Sequence, residues 1–398
     1  MEDGLPHNHS KASAGLVATE YRRRFGEPVG VFRAPGRVNL IGEHTDYNDG
    51  FVMPAALGFY TYVASGPRRD RTLSIYSLDF DELSNFDLDM AMSGPTGHWS
   101  DYVRGVAAVL RGSGVPLPGV NLVIKGEVPI GAGLSSSAAI EVATALALLA
   151  AAGYQLERRA IASLCQRAEH EFAGTNCGIM DQFIACFGEA NHALLLDCRS
   201  LAYEPLQLPD RARLVICDSM VKHDLAAGEY NRRRADCEAG VQLLRRHLPD
   251  IRALRDVDLS QLEQFSDTMP DRIYRRCLHV VGENARTLKA AAALRNGDLT
   301  LFGELMARSH ASLRDDYEVS CRELDLLVEL AGKCRGVFGS RMTGGGFGGC
   351  TVNLVDGDAV ESLRAEVARR YQDATGMAPA IYVCAAADGA GEVSREAR

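Results

Sequence analysis

The chain has 398 residues, 46% of them apolar and 24% charged, with a formal net charge of -9. This composition belongs to a globular protein, and the acidic balance excludes a general nucleic-acid binder, which would carry a basic surface. Eleven cysteines, odd in number and without a CxxC pair, argue against a disulfide framework or a zinc site and point to reduced thiols in the cytoplasm.

The length suggests two domains. The polar, acidic start at Met1-Glu2-Asp3 does not read as a secretory signal, which needs a basic start and an apolar run. Residues 1–14 are expected to be flexible. Leu16–Phe25 reads as a helix with a basic end, and Val29–Arg33 as a short strand running into a Pro-Gly turn. Tyr60–Ser65 and Thr72–Ser77 alternate and carry β-branched or aromatic residues, so strands are predicted there. A helix over Asp101–Leu110, a strand over Val120–Lys125, a loop over Gly126–Gly133 and a long helix over Ser137–Ala152 follow. That helix carries Glu141 and is too short to span a bilayer, so no membrane partner is expected. Leu156–Phe172 and Met180–Cys186 read as helices, Leu194–Asp197 and Ala212–Asp218 as strands. Helices are predicted over Glu229–His247, Arg272–Arg295, Leu299–Leu313 and Glu323–Ala331. A glycine loop at 344–349, a strand at Cys350–Leu354, a helix at Asp358–Tyr371 and a strand at Ala380–Cys384 complete the chain. Helices and strands mix without a regular βαβ series, which indicates an α+β fold. A domain change is expected near Pro205–Pro209, dividing 15–208 from 209–398.

Three segments carry the chemistry. Arg33 to Asn48 sets two arginines, Glu43, His44 and Asp46 around Pro35-Gly36. So dense a polar set suits a polyhydroxylated ligand, because carboxylates accept from hydroxyls and arginines donate to them. Residues 125–139 follow a strand and open a helix through Gly131-Ala132-Gly133-Leu134-Ser135-Ser136-Ser137-Ala138. Small residues there let backbone N–H groups and the positive end of a helix approach an anion. No Gly-Lys-Ser/Thr ends the segment, so it is not a Walker A loop. The third, Gly339 to Cys350, holds five glycines in the six positions from Gly344, a density that requires unusual backbone angles or close approach to a ligand. Between them, Gly178-Ile179-Met180-Asp181-Gln182-Phe183 sets a carboxylate in an apolar run.

These segments, in this order, resemble the three motifs of the GHMP kinase superfamily, and the first resembles the signature of its galactokinase family. The resemblance implies a two-domain fold, an N-terminal domain like ribosomal protein S5 domain 2 and a C-terminal GHMP domain, with the active site at their interface. It implies phosphoryl transfer from MgATP to the C1 hydroxyl of galactose, the entry to galactose catabolism by the Leloir pathway. Asp181 would be the base and Arg37 its catalytic neighbour. Glu43, His44, Asp46, Gly178, Asp181 and Tyr230 would bind sugar, although Tyr230 could equally be a partly buried aromatic. Gly131 to Ala138, Gly345 and Gly346 would bind ATP. Trp99 and Tyr102 fall where the family packs adenine, with a core role an equal alternative for Trp99. Glu169 would bind Mg²⁺ with one of the loop serines, taken as Ser137. Three rivals remain: an N-acetylgalactosamine kinase, which shares every motif; a non-catalytic sugar sensor, disfavoured by the intact Ser137-Ala138 pair; and a homoserine or mevalonate kinase, disfavoured by Glu43 to Asp46. The family is often monomeric, and a monomer is expected.

Overall fold

The computed structural model describes residues 7–90, 94–221 and 226–393. Its first helix, α1 (His7–Phe25), begins before Leu16 and takes in part of the segment expected to be flexible, while residues 1–6 lie outside the described ones. Ala14, Val17 and Tyr21 are the reason: they pack on Tyr60, Tyr62 and Ala64 of the first sheet.

That sheet has the strand order β13-β1-β3-β6-β4-β5. Its members are β1 (Gly30–Asn39), β3 (Pro54–Arg68), β4 (Thr72–Ser77), β5 (Glu82–Asp87), β6 (Gly119–Gly126) and β13 (Gly391–Glu392). Only β4 and β6 run parallel, joined across β5 and helix α2 (Asp101–Gly112). The period of two along β3 sends Tyr60, Tyr62 and Ala64 toward α1 and Val63 toward the opposite face. There α2, α3 (Ser136–Ala151), α4 (Arg158–Ala168) and α5 (Met180–Phe187) close a second core with Leu73, Ile75 and Leu122.

A small sheet joins β2 (Phe51–Val52), β7 (His192–Asp197) and β8 (Tyr203–Gln207). The four-stranded sheet β10-β11-β9-β12 is built from β9 (Ala212–Asp218), β10 (Val337–Met342), β11 (Cys350–Asp356) and β12 (Ala380–Cys384). Around it lie α6 (Ala226–Leu244), the short α7 (Leu259–Glu263), α8 (Asp271–Arg295), α9 (Leu299–Asp315), α10 (Arg322–Gly332) and α11 (Val360–Thr375). The second large sheet therefore starts at Ala212, just past the expected change, but the chain returns at its end to add β13 to the first.

The Pro-Gly pair does not turn the chain. β1 continues through it to Asn39, and the register against β3 shifts between Pro35 and Arg37. A bulge of this kind re-aims the side chain beside it. A β-carbon on Gly36 would sit 2.6 Å from the Leu134 carbonyl, and that carbonyl accepts the Arg37 amide at 3.0 Å. The bulge thus fastens the Arg33–Asn48 segment to the glycine-serine loop.

Candidate active site

A cavity of about 480 Å³ opens where α3, α5, the β1–β2 connection and the glycine loop after β10 meet. Its wall includes Arg37, Glu43, His44 and Asp46, then Gly131, Gly133, Leu134, Ser135, Ser136 and Ser137, and then Glu169, Asp181, Tyr230 and Gly345. Most of the residues singled out in the sequence are gathered here. Ala132 and Ala138 are buried behind the loop. Gly346 is off the wall, and a β-carbon on it would meet the Val319 carbonyl at 2.2 Å, so its service is close packing. Gly178 stands behind Asp46, also off the wall. Trp99 is not on the wall either. It stacks on half-exposed Phe80, with ring centroids 5.5 Å apart, and donates from Nε1 to Glu82 at 3.1 Å.

Arg37 and Asp181 form the centre. Nε of Arg37 donates to Oδ1 of Asp181 at 2.7 Å and Nη2 to Oδ2 at 2.6 Å, a two-pronged ion pair. The remaining Nη1 donates to the Gly133 carbonyl at 2.7 Å, holding the guanidinium against the loop. Ser135, in the left-handed region with φ of 57°, donates its hydroxyl to Oδ2 of Asp181. Burial works against the Arg37 charge, but the Asp181 carboxylate outweighs it and the arginine pKa rises. Asp181 itself sits in the first turn of α5, where the helix N-terminus favours a negative charge.

Glu169 sits at the start of a π-helical turn over Glu169–Ala173, a distortion that often marks functional positions. Gln182 donates from Nε2 to Oε2 of Glu169 at 2.6 Å and to Oε2 of the fully buried Glu141 at 3.1 Å. Burial, then the nearby Asp181 charge, raises the Glu169 pKa; burial, then Glu169, pushes Glu141 well up. The Ser137 hydroxyl opposes the Glu169 shift by hydrogen bonding.

On the sugar-signature side, Glu43 accepts from Asn39 Nδ2 at 2.7 Å and from the Gly344 amide at 2.6 Å. Burial raises its pKa against the pull of Arg341 and Arg37. It therefore clasps the glycine loop as well as lining the cavity. Asp46 is pushed up to about 7 by burial and by the Asp181 charge. His44, with φ of 63°, packs its ring 5.5 Å from that of Tyr230 and is held down to about 3, chiefly by burial.

Sequence reasoning assigned no role to Ile130, Thr175, Cys177, Met180 or Gly344, all on the wall. Cys177 donates to Glu169 at 3.4 Å and sits one residue before Gly178. Its adjacency to the Asp181 segment was the available signal. The bracing from α8 left no local signal at all. Glu283 accepts the Gly42 amide at 2.9 Å and the Ser309 hydroxyl at 2.6 Å, and His279 Nε2 meets the Glu43 carbonyl at 3.1 Å.

Comparison with known proteins agrees with this arrangement. The family description "GHMP kinases N terminal domain" matches residues 101–189, "Galactokinase galactose-binding signature" matches 19–67, and "GHMP kinases C terminal" matches 290–373. The galactokinase of Roseiflexus sp. (strain RS-1) is 48% identical over 388 residues, 96% of this chain and 99% of the relative. That of Chloroflexus aurantiacus is 50% identical over 370 residues, 93% of this chain and 95% of the relative. Among solved structures, Lactococcus lactis galactokinase complexed with galactose superposes with a TM-score of 0.90 at 38% identity, covering 94% of this chain and 98% of that one. Methanococcus jannaschii mevalonate kinase, at 17% identity and a TM-score of 0.63 over 90% of this chain and 98% of its own, shares the fold. With the two-domain GHMP fold and a match to relatives along nearly its whole length, the chain belongs to the galactokinase family of ATP-dependent sugar kinases.

Proposed function

We propose that the cavity transfers the γ-phosphoryl group of ATP to the anomeric C1 hydroxyl of galactose, giving galactose 1-phosphate and ADP. The observation that carries this reading is the Arg37–Asp181 pair, tied through Gly133 and Ser135 to the glycine-serine loop. The C1 oxygen attacks the γ-phosphorus, the bond to the β-phosphate oxygen breaks as ADP leaves, and Asp181 accepts the C1 proton. An anomeric hydroxyl is a weak acid, so the proton moves late, as the new O–P bond forms. Arg37 holds the Asp181 carboxylate in place and offsets charge on the transferring group.

Glu43, His44, Asp46 and Tyr230 bind the sugar, with Gly178 making room for Asp46. Asp46 reads the axial C4 hydroxyl. Gly131, Gly133 to Ser137 and Gly345 cradle the triphosphate, with Ala132, Ala138 and Gly346 packing behind them. Of the two aromatics that the resemblance offers for adenine, Tyr102 lines the cavity and Trp99 stands outside it on Phe80, so Tyr102 takes the adenine side.

Glu169 and Ser137 fit Mg²⁺. Their donors are hard oxygens, and burial, then the nearby Asp181 charge, makes an ionised Glu169 costly, a cost that a divalent cation would relieve. Among the described residues no cluster of three or more His, Cys, Asp or Glu could hold a metal, in keeping with an ion that takes few protein ligands. When bound, Mg²⁺ shields the phosphate charge. We place the protein in the cytoplasm, whose reducing conditions suit eleven free cysteines. We take the protein to act as a monomer, with its domains dividing near residue 208.

The test is ADP release with MgATP and galactose, glucose, N-acetylgalactosamine or 2-deoxygalactose. Turnover on galactose with little on glucose is expected. Preferential turnover on N-acetylgalactosamine would overturn the substrate assignment, and no turnover on any sugar would overturn the reaction.

A further inference from the structure

A chain of hydrogen bonds runs from the cavity into the helical side of the molecule. Nδ1 of His44 lies 2.7 Å from the Tyr47 hydroxyl, which lies 2.8 Å from the Tyr317 hydroxyl, which lies 3.1 Å from Sγ of Cys237. Of these four residues only His44 lines the cavity. Tyr317 and Cys237 are buried, and His44 is 4% exposed. Nε2 of His44 is buried and has no hydrogen-bond partner. The Gly345 backbone beside the ring favours its protonated form, as an accepting carbonyl does, but makes no bond of good geometry to Nε2.

Each phenol has one O–H and the thiol one S–H, so only two proton orders keep both phenol protons inside the chain. In one, Cys237 donates to Tyr317, Tyr317 to Tyr47, and Tyr47 to Nδ1 of His44, which leaves the ring proton on Nε2. In the other, Nδ1–H donates to Tyr47 and the series ends with Tyr317 donating to sulfur. The first series ends on an imidazole nitrogen, a good acceptor, and the second on sulfur, a weak one. The first is therefore the stable order. The ring has little freedom to escape it. His44 holds a left-handed backbone angle and is flanked by Tyr317 at 4.7 Å and Tyr230 at 5.5 Å.

We propose that Tyr47 and Tyr317 are positioning residues that hold His44 as the Nε2–H tautomer, so that its free edge presents a fixed donor to an oxygen of the bound sugar. The proposal rests on the galactose reading for the identity of the ligand, but the tautomer is a property of the ligand-free protein. It converts a residue able to donate or accept into one that only donates. A sugar hydroxyl must then meet it with a lone pair, which leaves that hydroxyl's own proton free for a neighbouring carboxylate.

Two measurements test this. Long-range ¹H–¹⁵N spectra of the histidine-labelled, ligand-free protein, with His44→Gln used to assign the ring, should show the Nε2–H pattern; the Nδ1–H pattern would overturn the proposal. A galactose binding cycle with Tyr47→Phe, His44→Ala and the double variant should show Tyr47→Phe weakening galactose about five- to tenfold, the loss of roughly one hydrogen bond, only where His44 is present. The same loss in the His44→Ala background would show that Tyr47 acts without His44. If wild-type protein binds no galactose the sugar assignment fails, and the spectrum still decides the tautomer.

Discussion

A β-carbon on Gly178 would lie 2.1 Å from Oδ2 of Asp46. The glycine is outside the left-handed region, so an alanine there meets a steric obstacle and not a backbone penalty. Gly178→Ala is expected to push Asp46 off its position and weaken galactose binding by about 10²-fold or more, the loss expected when a polar sugar contact is left unpaired. Calorimetry should find ADP binding unchanged. Galactose affinity equal to wild type would show that Asp46 does not read the sugar.

Asp181→Asn keeps the shape of the carboxylate and removes its basicity. Turnover should fall by about 10²–10⁴-fold, the usual contribution of a positioned base, while galactose still raises the thermal midpoint. The variant also leaves Arg37 buried with a neutral partner, so some loss of stability is expected. Near-normal turnover would remove Asp181 from the chemistry.

The raised pKa of Asp46, about 7, gives galactose binding a pH dependence. Sugar hydroxyls that donate to the ionised carboxylate lower its pKa, so binding releases a proton near neutrality. Affinity should fall as pH drops below about 7, by up to about tenfold per unit, and Asp46→Asn should flatten the curve. The ligand-free protein behaves in the opposite sense. A carboxyl whose folded pKa is raised contributes stability at low pH, and that contribution is lost as pH rises through 7. Calorimetry in buffers of different ionisation enthalpy measures the proton release directly.

Glu283 is fully buried, and despite that burial Arg286, His279 and the Ser309 hydroxyl hold its pKa down to about 2. Glu283→Ala strands the Gly42 amide and the Arg286 guanidinium together. Urea unfolding should register a loss of about 3 kcal/mol, the scale of a broken buried pair. Galactose should bind more weakly, because the signature loop loses its brace. A change below about 0.5 kcal/mol would mean that the loop is held elsewhere.

How much of this the sequence carried can be argued from particular elements. The expected limits of β4, β9 and β12 coincide with the observed ones, because each is a short run dense in β-branched, aromatic or other apolar residues. Reading Pro35-Gly36 as a turn failed because β3 supplies a partner on both sides of the bulge, and tertiary pairing outweighed the local preference. β10 was hidden in the approach to the glycine loop: its Arg341 and Ser340 look like surface polar residues but are buried. β8 holds Pro205, which an outer strand tolerates. Arg37, Asp46 and Asp181, which share the cavity wall, drew attention through the segments that hold them, whereas Glu169 was singled out mainly by the family resemblance. Glu283 and His279 were not legible, since a buried charge on a helix far along the chain has no local pattern to announce it. The single tryptophan drew attention for its rarity, yet its ring stacks on Phe80 outside the cavity wall.

The strand β13, which pairs Phe32 with Glu392 and Arg33 with Gly391, sets an order of events on the ribosome. β1 carries Arg37, yet its outer neighbour emerges only when almost the whole chain has been made. The first sheet must wait with one edge open through synthesis of the entire second half, and open edges recruit foreign strands. A nascent chain stalled between Asp356 and Gly391 would present every catalytic motif and still lack the strand that closes β1.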